Sequence, residues 1–328
     1  MSINKIHEVI ETCLKKCPCL VDVRYSESMK EHTTFKVGGP ADCWVCPKGE
    51  VFAAFCSELI KAAKIENIPV FVLGGGANIV VSDKGIRGIV LDMGQWSSEG
   101  ACFLDQDDCG IAFKSGTGID QAVEIAASAG LSGLEFLAGM PGTIGGAVWM
   151  NARCYDREIS DFLTWVEIID CDYEIKRITI DKSLKETEFG YKISPFQKME
   201  ALILNAAFNL EKGNRENIKI EIDKNRQDRV NKGHYLFPCA GSAFKNNRKF
   251  GKPTGALVDE LGMKGLKRGN ARIAPFHGNI IINTGSAKAA DIRALTDEVA
   301  ARVKTATGFI LEPEILFVGD WQEESLTL

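Results

Sequence analysis

The sequence predicts an α+β or α/β protein built in several lobes, and three observations bear on it. At 328 residues, 45% hydrophobic and 25% charged, the chain is long enough for two or three cores of ordinary globular composition. Short β-like runs are interleaved with amphipathic helical stretches along the whole length. The first glycine-rich segment, residues 72 to 82, lacks the pattern and the following helix of a Rossmann dinucleotide site.

In order, a short apolar helical pattern opens the chain, and Ala41 to Cys46 reads as a strand. An amphipathic helix over Val51 to Asn67 follows, its apolar positions at Phe52, Phe55, Leu59 and Ile60. Val70 to Leu73, Ile79 to Val81 and Gly88 to Asp92 read as short strands. Ser115-Gly-Thr-Gly118 is a turn leading into a helix that ends at Gly130, and Ala138 to Gly146 is a glycine-rich loop. Beyond residue 210 the texture changes to a charged helix over Asn217 to Asn231 and a short helix from Thr254 to Leu261. A buried strand over Asn279 to Asn283 and a long helix over Ala289 to Thr305 follow. The tail, Phe309 to Phe317, reads as strand.

The formal net charge of −5 carries no basic stripe with interleaved aromatics, so a nucleic-acid partner is not expected. No run approaches the roughly 18 apolar residues of a membrane helix. The first residues carry glutamates inside a short apolar pattern and lack a small-residue cleavage site, so the expected location is the cytoplasm. Eleven cysteines include two clusters, Cys13/Cys17/Cys19 and Cys43/Cys46. Four thiolates from them would suit a metal. The expected reading is instead small apolar residues in a reducing compartment, with no metal, because Cys43 and Cys46 fall in a strand pattern.

Three segments carry the chemistry. In Val72-Leu-Gly-Gly-Gly-Ala-Asn-Ile-Val-Val-Ser82 the last glycine of a G-x-G-x-x-G pattern is replaced by Ile79, and β-like residues follow. Its glycines allow backbone N–H groups to converge on an anion, or simply make a tight turn. In Ala138-Gly-Met-Pro-Gly-Thr-Ile-Gly-Gly-Ala147, Gly139, Gly142 and Gly145 recur every third residue beside Pro141. That keeps one side of a loop clear for a flat or phosphorylated ligand. The third segment, His32-Thr-Thr-Phe-Lys-Val-Gly-Gly-Pro-Ala41, joins hydroxyls and a lysine to a Gly-Gly-Pro turn.

These segments, in this order, resemble the UDP-N-acetylenolpyruvoylglucosamine reductase (MurB) family. The resemblance continues through Phe189-Gly-Tyr-Lys-Ile-Ser-Pro-Phe196, Cys239-Ala-Gly-Ser-Ala-Phe-Lys-Asn246, Leu257 to Gly265, Gly278-Asn-Ile-Ile-Ile-Asn283 and Leu311-Glu-Pro-Glu314, from about residue 30 to 318. It implies an FAD-binding fold of the vanillyl-alcohol-oxidase (PCMH) type. Residues 1–94, rejoined by the tail 312–328, and 95–210 would form two flavin-binding subdomains, with 211–311 as a substrate-binding α+β lobe. It further implies non-covalent FAD, NADPH as electron donor, and a UDP-sugar carrying an enolpyruvyl ether as substrate. A monomer is expected.

By the same resemblance, Thr34, Gly74, Gly75, Gly76, Ala77, Asn78, Pro141, Gly142, Gly145 and Gly146 would hold the flavin. Hydride addition to the enolpyruvyl methylene carbon leaves an enolate delocalised into the carboxylate, which needs an acid and fixed charge. Ser242 matches the proton donor, Glu314 the glutamate and Lys192 the enolate-stabilising cation of the family. Lysine stands at 192 where the family usually has arginine, keeping the charge but losing the planar two-point grip. Leu316 stands where a common pattern has arginine. Glu312 competes with Glu314, since two residues apart in a strand they would face the same side. Tyr191, Lys245, Asn246 and Lys264 are the expected substrate contacts. The 50-residue gap from Lys192 to Ser242 suits the shorter, type II branch. Two other readings stay open: a different FAD-dependent oxidoreductase of the same fold, and a catalytically silent UDP-sugar-binding protein.

Overall fold

The computed structural model describes residues 3–104 and 109–321. The Ile3–Lys16 helix buries Ile6, Val9, Ile10 and Cys13, spaced three and four apart on one face. It packs against the Phe52–Ile65 helix, whose Phe52, Phe55, Cys56 and Leu59 are buried. A four-stranded sheet has the order Leu20–Ser28, Pro40–Lys48, Ile86–Asp92, Val70–Leu73, and its last pair is parallel. The predicted Val70 to Leu73 and Ile79 to Val81 strands have the expected bounds. By internal packing the chain forms two units, one of residues 1–24, 44–75 and 88–228, the other of residues 25–43, 76–87 and 229–328.

The first unit is organised by a five-stranded antiparallel sheet. Its order is Ile175–Thr179, Leu163–Ile169, Leu202–Asn209, Gly110–Lys114, Cys102–Phe103. Val166, Ile168, Ala206, Phe208, Ile111 and Phe113 from the sheet meet Ala122, Val123 and Ala126 of the Ile119–Ser128 helix in one core. The loop expected over Ala138 to Gly146 ends in a helix, Ile144–Trp149, whose N-cap Thr143 accepts from Gly146 N at 3.4 Å. Gly145 and Gly146 hide that helix from a propensity reading.

The second unit centres on the Ala289–Thr307 helix, which lays Ile292, Leu295, Val299 and Val303 on its core. Asp83, over 200 residues earlier, caps its start by accepting from Ala289 N and Ala290 N at 2.9 Å each. A three-stranded antiparallel sheet, Lys267–Arg268, Ala271–Ile273, Ile281–Asn283, packs on the same core. The tail strand is shorter than expected, Leu316–Val318, and runs parallel to Ile79–Val81. Pro313, which has no N–H, limits what precedes it to an isolated bridge with Phe244.

Cys13, Cys43, Cys46, Cys56 and Cys239 are buried, whereas Cys102 and Cys171 are exposed. Burial pushes the Cys13 and Cys46 thiols up to about 11 and Cys43 up to about 12, and Cys56 moves in the same direction. No helix among the described residues is long and apolar enough to cross a membrane.

Candidate active site

In the second unit, Gly241 takes φ +69° and turns the chain into Ser242-Ala-Phe244. This segment is paired on both sides by main chain. Ser242 bridges Ile280, and Ala243 N donates to Asn279 O at 2.8 Å. On the other edge Phe244 bridges Pro313, Glu314 N donates to Ala243 O at 2.8 Å, and Lys245 N donates to Glu312 O at 2.9 Å. Ser242 and Glu314 are thereby brought together on neighbouring segments joined by main-chain bonds. Asn279, 2% exposed, locks the arrangement: its Oδ1 accepts from Phe244 N at 3.0 Å and its Nδ2 donates to Phe244 O at 2.8 Å. Asn78 Nδ2 donates to Glu314 O at 2.9 Å from the glycine-rich segment.

The expectation that Glu312 and Glu314 face one side is corrected. Glu314 sits in a bend and is 8% exposed, whereas the Glu312 side chain is 68% exposed and pairs with Lys245 Nζ. The backbone turns at Glu314 instead of continuing as a strand, so the two-residue period does not apply.

A cavity of about 270 Å³ adjoins Ser242 and is lined by Asn246, Asp259, Lys264, His277 and Asn279 among others. Lys264 Nζ is 2.5 Å from Asp259 Oδ2. Asn246 Oδ1 accepts from Thr254 N at 2.9 Å, fixing its amide at the cavity edge. Two of the four expected substrate contacts thus share a cavity with Ser242, while Lys245 is engaged by Glu312. His277 and Asn279 were missed by sequence reasoning. Asn279 carried a signal, a polar residue opening a buried β run. His277 Nδ1 accepts from Asn279 N at 3.1 Å. Burial, aided by the charges of Lys232 and Lys264, holds its pKa below the usual imidazole range. Cys239, buried with its thiol pKa raised chiefly by burial, has the character of a packing residue.

In the first unit, Tyr191 and Lys192 are the two central residues of a tight turn. Ile193 N donates to Gly190 O at 3.0 Å and Gly190 N to Ile193 O at 3.1 Å. Lys192 holds φ +60°, the left-handed region that a β-carbon makes unfavourable by about 1–2 kcal/mol. The turn is pinned by Gln197 Nε2, which donates to Lys192 O at 3.0 Å, and by Asn151 Nδ2, which donates to Gly190 O at 2.9 Å.

The flavin-site glycines divide by function. A β-carbon on Gly75 would fall 2.6 Å from Gly142 Cα, one on Gly145 2.7 Å from Ser115 Cβ, and one on Gly74 2.7 Å from Thr143 Oγ1. At these positions loops 74–75, 115–118 and 142–146 of the first unit approach too closely for a β-carbon, against backbone at Gly75 and against side chains at Gly74 and Gly145. In the second unit Gly76, at φ +59°, lies against His32 O in the same way, and Thr34 N donates to Gly76 O at 3.1 Å. Pro141 and Gly146 are exposed, and only Thr143 Oγ1, at 3.5 Å, crowds the β-carbon direction of Gly146. Two buried hydroxyl oxygens in these loops, Thr34 Oγ1 and Ser115 Oγ, have no hydrogen-bond partner within the protein. Such orphans cost about 1–3 kcal/mol each, and each suits a loop that receives a polar group. Ser115 was not among the expected contacts.

The family model described as FAD binding domain matches residues 53–179, and the one described as UDP-N-acetylenolpyruvoylglucosamine reductase, C-terminal domain, matches residues 231–318. With the α+β architecture, these matches define an FAD-dependent oxidoreductase. Among curated relatives, the UDP-N-acetylenolpyruvoylglucosamine reductase of Treponema denticola is 39% identical, covering 91% of this chain and 94% of the relative. That of Borreliella burgdorferi is 41% identical over 90% and 94%. The crystal structure of the enzyme from Thermus caldophilus superposes with a TM-score of 0.71 at 32% identity, covering 91% of this chain and 99% of that one. The chain belongs to the UDP-N-acetylenolpyruvoylglucosamine reductase family.

Proposed function

We propose that this chain reduces the enolpyruvyl ether of UDP-N-acetylglucosamine to UDP-N-acetylmuramate, drawing electrons from NADPH, as a cytoplasmic monomer supplying peptidoglycan precursors. The observation that carries the reading is the main-chain pairing that sets Ser242 beside Glu314, in a chain matched to the reductase family over nine-tenths of its length. FAD supplies the hydride when bound. Thr34, Gly74, Gly75, Gly76, Ala77, Asn78, Pro141, Gly142, Gly145 and Gly146 would hold it, with Ser115 added for its unpartnered hydroxyl. In this reading residues 1–94 with the tail from 312, and residues 95–210, form the flavin-binding part, and residues 211–311 receive the sugar nucleotide. Tail residues 322–328 lie outside the described residues.

Ser242 donates the proton that completes reduction of the enolpyruvyl group. A serine hydroxyl is a weak acid, but the aci-carboxylate it faces is a strong base, and a rigid segment compensates for poor pKa matching. Glu314, buried and fixed through its own backbone N–H and C=O, orients the substrate carboxylate or relays the proton. Lys192 stabilises the negative charge that builds on the carboxylate. Asn246 and Lys264, with Tyr191 and Lys245, contact the UDP-sugar.

The test is anaerobic. The FAD-loaded protein is bleached with NADPH, the enolpyruvyl ether of UDP-N-acetylglucosamine is added, and flavin absorbance is followed. Recovery of the oxidised spectrum with formation of UDP-N-acetylmuramate is expected. Bleaching without recovery would overturn the substrate assignment.

A further inference from the structure

Arg153 has no part in the roles assigned above, yet it closes a ring of contacts around the Lys192 turn. Its Nη1 donates to Glu158 Oε1 at 3.0 Å, and Glu158 Oε2 accepts from Asn151 Nδ2 at 2.6 Å. The same Asn151 amide donates to Gly190 O, the first residue of the turn, at 2.9 Å. On the other side the Arg153 guanidinium lies over the Tyr191 ring, 5.4 Å from its centroid. The ring of contacts therefore runs from Arg153 through Glu158 and Asn151 to Gly190, and returns through Tyr191.

Asn151 in the ring and Lys192 in the turn it encloses hold left-handed backbone, at φ +44° and φ +60°. Asn151 is 0% exposed. Arg153 and Glu158 stand opposite each other in the short hairpin Arg153–Cys154 and Arg157–Glu158. That hairpin is turned by Tyr155 and Asp156 at φ +50° and +60°, where asparagine and glycine are the usual occupants. Tyr155 ties the turn down by donating to Asp228 Oδ2 at 2.5 Å. Strained backbone concentrated in this way is held only where surrounding contacts over-determine it.

We infer that Arg153 is a positioning residue for the reaction: acting through Glu158, Asn151 and the Tyr191 ring, it holds the Tyr191–Lys192 turn so that the lysine ammonium is presented to the substrate carboxylate. The inference rests on the role proposed for Lys192. It follows from what lysine lacks. A guanidinium presents a rigid fork, whereas an ammonium on a four-carbon stem is a point charge whose direction must come from elsewhere.

The experiment compares the two half-reactions of FAD-loaded Arg153→Ala, Arg153→Gln and Arg153→Lys proteins. Arg153→Ala and Arg153→Gln should slow recovery of oxidised flavin on addition of the enolpyruvyl UDP-sugar by on the order of tenfold or more. Bleaching by NADPH should be unchanged. Arg153→Lys, which keeps the charge and a bond to Glu158, should recover part of the loss. In a Lys192→Arg background the Arg153→Ala loss should shrink, because a planar fork depends less on outside positioning. Wild-type recovery rates in Arg153→Ala, equal losses in both half-reactions, or losses that simply multiply in the double variant would each overturn the inference while leaving Lys192 its role. A wild-type protein that never recovers its oxidised spectrum would overturn both.

Discussion

Replacing Ser242 by alanine removes one oxygen from a segment held by its main chain. The bridge to Ile280, the Ala243 N to Asn279 O bond and the Glu314 N to Ala243 O bond involve no side-chain atom of residue 242. Ser242 is half-buried at the cavity edge, so stability should move by no more than about 0.5 kcal/mol. The chemical effect is of another size. A positioned acid contributes about 10²–10⁴ in rate, which is roughly 3–5 kcal/mol of barrier at about 1.36 kcal/mol per tenfold. All of it falls on the step that needs a proton. In anaerobic stopped flow, NADPH should bleach the Ser242→Ala flavin at the wild-type rate, and the enolpyruvyl UDP-sugar should restore it at least a hundred times more slowly. Equal slowing of both phases would mean the hydroxyl serves flavin placement and would defeat the assignment. An unchanged second phase would move the acid to another group, with His277 in the same cavity the first to examine.

Three further outcomes follow from the geometry. Lys192→Arg should preserve or raise kcat/KM, since it keeps the turn and adds two-point contact with a carboxylate; an inactive variant would show that lysine does something arginine does not. Ser115→Ala should raise the stability of the apoprotein by about 1 kcal/mol, by removing an unpaired buried hydroxyl, while weakening FAD binding. Thermal unfolding without FAD and a fluorescence titration with it report the two effects, and no change in either sinks the reading of that oxygen. His277 is held below its unfolded pKa by burial, so its stabilising contribution is complete above the unfolded value near 6.5 and is lost as pH falls through that value toward the lower folded one. His277→Gln should therefore lose less stability than the wild type between pH 7.5 and pH 5.5 in urea titrations, and parallel losses would contradict the assignment of a neutral buried imidazole.

What was legible in the sequence is what is encoded locally. The Val70–Leu73 and Ile79–Val81 strands and the Ala289–Thr307 helix are written in hydrophobic period, and the structure has them where the period puts them. The Ile144–Trp149 helix was not, because Gly145 and Gly146 weaken its propensity, and Gly145 answers a non-local demand, the close approach of Ser115. The left-handed backbone of Lys192 had no local sign at all. Nor did the capping of the Ala289–Thr307 helix by Asp83, or the bond from Asn78 to Glu314 across 236 residues of sequence. The resemblance favoured Glu314 over Glu312, but the bend that turns the two apart is one no two-residue period contains.

The same distinction separates the supports of the two halves of the candidate site. The residues that hold Ser242 and Glu314 in register do so almost wholly through N–H and C=O groups, with Asn279 and Asn78 contributing side-chain amides aimed at backbone. Main-chain pairing is indifferent to which side chain is carried, so chemistry at these positions can be exchanged without rebuilding the support. The Lys192 turn is built the opposite way. Its support is a ring of side chains, Arg153, Glu158 and Asn151, under two strained backbones. Substitutions there should couple strongly to one another, while substitutions around Ser242 should act nearly independently. Double-variant cycles in the two places measure that contrast directly. Comparable coupling in both would mean that the distinction between main-chain and side-chain support has no energetic content.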